Sequence, residues 1–308
     1  MAKIKHKNKR SNDERIAQLL AMAWNTASST RQLAIANQIL ELDPNNVEAL
    51  IIKSDNLHDS PKSLELLLKA LKILSAEDLS EWEDKLFFLS VNHRLAFAYM
   101  GQGNLDEAFK FCVTAIKFFE ENSDDEEILE DYDDTLIKAL YYRILIERRD
   151  WQKILSDSMR EDRKTLGQSY AKLIAAWFMA SEQTQKKVCA NLLWDALNIA
   201  PDVPFYILGY FEEPEEDTES DAFEEFGFAL MYYDTVAVSD EFFRWFSRGV
   251  ILFGLLSGRF EKKEQDYLID VLDGLGGFDE YEKMKNIIVE TEDNLVLEAL
   301  AAHKCLTD

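Results

Sequence analysis

Apolar residues recur along most of this chain at helical rather than strand spacing, in short blocks separated by polar breaks. In 31–42, Leu33, Ala36, Ile39 and Leu40 fall on one face. The block stops at Asp43-Pro44-Asn45-Asn46, where Pro cannot continue a helix and Asn suits a turn. A new block opens near Val47, and Pro61 fits the first turn of the next, which runs to residue 74. The same reading predicts helices over 15–27, 84–100, 105–119, 135–147, 151–159, 166–180 and 186–199. Between them lie turns at Gly101-Gln-Gly-Asn104 and Arg148-Arg149-Asp150 and a stop at Ala200-Pro201. Past Pro201 the pattern changes, and apolar helices resume over 220–233, 239–256, 261–273, 279–290 and 294–303. Residues 1–14 carry almost nothing apolar and are expected to be a disordered basic tail. Helix hairpins joined by short turns, one after another, are the pattern of a repeat array.

Composition sharpens this picture. Gly (11) and Pro (5) are too scarce over 308 residues for strands joined by tight turns, and a hydrophobic share of 47% is enough to bury a core. The net charge is −24. Lys3, Lys5, Lys7, Lys9 and Arg10 give the first ten residues five positive charges and no acid, so the remainder carries −29. A body this acidic repels phosphate backbones, which argues against nucleic acid as its ligand and favours basic partners. The basic start is not followed by an apolar segment, and the longest apolar runs are far short of the ~20 residues that span a bilayer. A cytoplasmic chain without membrane attachment is therefore expected. Cys112, Cys189 and Cys305 are odd in number and form no CxxC pair, which speaks against a disulfide framework or a zinc site.

The segment from His93 to Lys117, HRLAFAYMGQGNLDEAFKFCVTAIK, resembles a tetratricopeptide repeat. Ala96 stands where the first helix needs a small residue, Tyr99 at the aromatic position, Gly103 in the turn, and Ala108 and Ala115 where the second helix packs closely. Partial copies of the closing helix recur at 69–74 and 195–201, and Ile39-Leu-Glu-Leu-Asp-Pro44 matches the usual ending. The closing positions Ile39, Ala70, Ala115 and Ala196 lie 31, 45 and 81 residues apart, against a family period of about 34, so the array is irregular. The segment 200–209 and the acid-rich stretch after it are similar to the end of the suppression-of-tumorigenicity-7 family, which also carries such repeats. The resemblance implies an all-α fold: a right-handed superhelical solenoid of helix hairpins over 15–202, then a C-terminal helical region over 203–308 with an acidic loop at 212–225.

What the resemblance implies for function is binding of a partner protein or peptide in the concave groove lined by the first helix of each repeat. Asp55, His93, Phe97, Met100, Arg143 and Phe178 are the groove positions it points to. Only Arg143 is placed to serve a carboxylate clamp, so the chaperone-type role of the family is not expected. A peptide-responsive sensor is the alternative, and an enzyme in the C-terminal helices a weaker one. The search for chemistry is negative. His6, His58, His93 and His303 have no second His or Cys one helical turn away, so no metal site is written locally. Gly101-Gln-Gly103 lacks a preceding strand and a third glycine, so it is no dinucleotide loop. The acidic stretch 120–134 lacks the calcium-loop pattern. No catalytic residue and no cofactor are expected, and Trp151, Trp177, Trp194 and Trp245 read mostly as core.

Overall fold

A computed structural model of the chain describes residues 2–57, 60–76, 79, 81–126, 128, 132, 134–160, 165–214, 220–288 and 292–307. All regular structure among them is helical. The chain divides into two compact units, residues 1–137 and 138–308.

The first unit holds α1 (Ala2–Trp24), α2 (Ser29–Leu42), α3 (Val47–Asp55), α4 (Pro61–Leu74), α5 (Trp82–Gly101) and α6 (Leu105–Glu121). The opening of α7 (Asp134–Glu147) also belongs to it. The breaks follow the turn chemistry. Asn46 accepts the Ala49 N–H to cap α3, Ser60 accepts the Ser63 N–H to cap α4 at Pro61, and Asn104 accepts the Glu107 N–H to cap α6. Each helix from α1 to α5 packs on its successor, and α1 packs on α3 and α3 on α5. Leu19 and Ala23 of α1 close on Ile35, Ala36 and Ile39 of α2 and on Ala49 and Ile52 of α3. Ala96 of α5 and Ala108, Cys112 and Ala115 of α6 are fully buried, as small residues must be where two helix backbones approach. Residues 2–14, expected to be unstructured, belong to α1. The stretch 2–24 contains neither Gly nor Pro and is rich in Lys, Arg and Ala, so nothing in it stops a helix.

The second unit continues through α8 (Trp151–Ser158), α9 (Leu166–Met179), α10 (Gln185–Ile199), α11 (Val203–Ile207), α12 (Ser220–Tyr232), a 3₁₀ turn (Thr235–Val238), α13 (Asp240–Leu256), α14 (Lys262–Gly274), α15 (Phe278–Met284) and α16 (Asp293–Ala302). The centre is α13, buried along nearly its whole length and packed by α10, α14, α15 and α16. Its two glycines permit close approach: a Cβ at Gly249 would lie 2.6 Å from Leu193 and Leu306, and one at Gly254 would lie 2.5 Å from Phe260. Compactness thus places α9 and α10 with the C-terminal helices, whereas the sequence pattern drew a boundary after residue 202. The reason is α10, which packs on α13 and α16 as well as on α9. Residues 203–207, for which the sequence pattern predicts no element, form a helix, with Pro204 in its first turn where it needs no donor. One further expectation changes. The helix expected over 279–290 ends at Met284, ahead of the β-branched Ile287-Ile288. Within the acidic stretches, Asp125 pairs with Lys85 at 2.7 Å, while residues 127, 129–131, 133 and 215–219 lie outside those described. No helix among the described residues is long and apolar enough to cross a membrane.

Candidate functional site

A groove of about 800 Å³ opens on the first unit between the end of α3, the first turns of α4 and the second half of α5, with Leu136 of α7 at its rim. Helical spacing puts His93, Phe97 and Gly101 of α5 on one line, and Ser63, Leu64 and Leu67 of α4 along another, with the capping Ser60 before them. Phe97 is 49% exposed and Leu136 50% exposed, so two large apolar side chains stand in solvent at one opening. The floor is polar but satisfied. Arg94 Nε donates to Asp55 Oδ1 at 2.8 Å and Nη2 to Oδ2 at 2.9 Å, a fork that joins α5 to α3. Its Nη1 donates to Ser90 Oγ. The hydroxyls of Ser54 and Ser63 share a hydrogen bond of 2.7 Å, tying α3 to α4. Burial, and then the neighbouring Arg94 guanidinium, pull the His93 pKa from 6.5 down to about 4, so its ring is neutral at physiological pH.

Of the six groove positions taken from the sequence, Asp55, His93 and Phe97 meet here. Met100 is half-buried and is not part of the lining. Arg143 and Phe178 lie in the second unit. There Arg143 is buried, donating to Asp234 and Glu147, and the Phe178 ring stacks 4.8 Å from Trp151. Arg143 is thus tied up in ion pairs rather than presented to a partner. The repeat pattern assigns the groove to first helices, so it overlooks Leu64 and Leu67 of α4. Arg94, one position past His93, was legible only as a neighbour.

Among the described residues no group of three or more His, Cys, Asp and Glu is placed to hold a metal ion; His58 lies outside them. The three thiols are buried, which raises Cys305 to about 11, Cys189 to about 12 and Cys112 well above the ordinary range, so none is a ready nucleophile. No family model, curated protein or solved structure matches the chain.

Proposed function

We propose that this chain is an interaction module whose first unit binds a peptide or protein segment in the groove of α3, α4 and α5. The reading includes a right-handed, tetratricopeptide-like superhelix. Supporting it are the packing of α1 on α3 and α3 on α5, and the turn and alanine positions of the hairpin α5–α6. The observation that carries the function is the pairing of half-exposed Phe97 and Leu136 with a satisfied polar floor. Apolar anchors in a concave opening dominate the affinity of peptide recognition. The Asp55 carboxylate keeps a side-chain exposure of 41% beside Arg94, and the chain carries −24, so a segment with a basic flank is favoured over an acidic one.

Selection of a displayed random-peptide library on the immobilised protein tests this. Enriched peptides should carry aromatic or aliphatic anchors next to Lys or Arg. They should lose roughly tenfold or more in affinity against Phe97→Ala, a substitution at an exposed site that leaves the fold intact. Absence of enrichment, or equal binding to Phe97→Ala, would contradict the assignment.

A further inference from the structure

The arginines that hold the fold together are matched by carboxylates: Arg94 by Asp55, Arg143 by Asp234 and Glu147, Arg259 by Asp202 and Asp293. Two arginines on α13 are not matched in this way. Glu241, Arg244, Trp245 and Arg248 occur at i, i+3, i+4 and i+7 and so share one face, which lines a pocket of about 140 Å³ with Trp177 of α9 and Lys186 of α10. Arg248 Nε stands 3.8 Å from Glu280 Oε2, beyond hydrogen-bonding distance, and both atoms are buried without a partner among the described residues. Glu280 cannot close that gap freely, because its Oε1 already accepts the Leu306 N–H at 2.8 Å. Arg244 makes one long contact, 3.4 Å to the Gly274 carbonyl. The two indoles, 5.2 Å apart and almost fully buried, form a dry wall beside these guanidinium groups, where an ionic hydrogen bond is worth more than in water.

We propose that this pocket binds one phosphate-class oxyanion, free or as the terminal group of a phosphoester. Arg244, Arg248 and Lys186 line it with the carboxylate of Glu241, and the Glu280 carboxylate lies 3.8 Å from Arg248. Arginine forks match the oxygens of a phosphate, and Arg244 has no carboxylate partner among the described residues. The volume is well below the ~300–1,000 Å³ of pockets that take whole cofactors, so it suits one phosphate group and not a nucleotide.

The chain has six tryptophans, whose indole N–H signals can be followed by NMR while inorganic phosphate is titrated at constant ionic strength against chloride. The signals of Trp177 and Trp245, assigned with Trp→Phe variants, should shift saturably with a Kd of about 1 mM or tighter. Arg244→Gln should weaken that Kd about tenfold. Because Arg244 is exposed, this variant keeps its fold even if Arg248→Gln, which removes a half-buried side chain, does not. A parallel titration with O-phosphoserine separates the sources: tighter binding assigns the site to a phosphoester, weaker binding to the free ion. No saturable shift beyond the chloride control, or an unchanged Kd in Arg244→Gln, overturns the proposal.

Discussion

At Arg149 the backbone takes φ +55°, a left-handed conformation that a side chain makes costly and glycine does not. The turn it serves has the same hydrogen-bond pattern as the separate turn at Gly103, where φ is +72°. The Arg149 N–H donates to Ile146 O at 2.9 Å and the Asp150 N–H to Leu145 O at 3.0 Å. The Gly103 N–H donates to Met100 O and the Asn104 N–H to Tyr99 O, both at 2.9 Å. Arg149→Gly should therefore stabilise the protein by ~1 kcal/mol, and a lowered midpoint in urea unfolding would contradict that reading of the turn. His93 supplies a second residue-scale prediction. Its folded pKa of about 4 lies below 6.5, so the unfolded chain binds the proton first as the pH falls. The contribution is fully present above pH 6.5 and is lost as the pH drops toward 4. His93→Gln should flatten the pH dependence of stability in that window relative to the parent chain. Parallel curves for the two proteins would show that the ring is not desolvated.

Among the elements, α5 and α6 form the hairpin on which the repeat reading rests. Ala108 is fully buried in α6, and enlarging a closely packed small residue forces neighbours off their rotamers. Ala108→Leu should cost ~1–3 kcal/mol, and an unchanged melting temperature would refute close packing at that position. Most helices lie within a few residues of where apolar periodicity, Pro44, Pro61 and the Gly101–Asn104 turn predict them, because those signals act locally. Tertiary relations were less legible. The grouping of α9 and α10 with the C-terminal helices depends on Gly249 lying against Leu193 and Leu306, a contact between residues distant in sequence. The five-residue α11 is too short to show a period.

At the scale of the whole molecule, a single unit carries the candidate site. Three of the six positions expected in the groove meet there because α3 and α5 pack side by side, while Leu64, Leu67 and Leu136 join them from elements that helix-face reasoning leaves out. The acidic charge and the apolar anchors act on different steps of binding. Exposed charge steers encounter and is screened beyond about 8 Å at physiological salt, whereas buried apolar contacts set the lifetime of a complex. The most direct measurement of the central claim is the binding kinetics of a library-selected, basic-flanked peptide on the immobilised chain, at low and at physiological salt, for the parent protein and for Phe97→Ala. Raising salt should slow association and leave dissociation almost unchanged, and Phe97→Ala should speed dissociation about tenfold with little effect on association. Association indifferent to salt, together with dissociation indifferent to Phe97→Ala, would place the binding surface away from this groove.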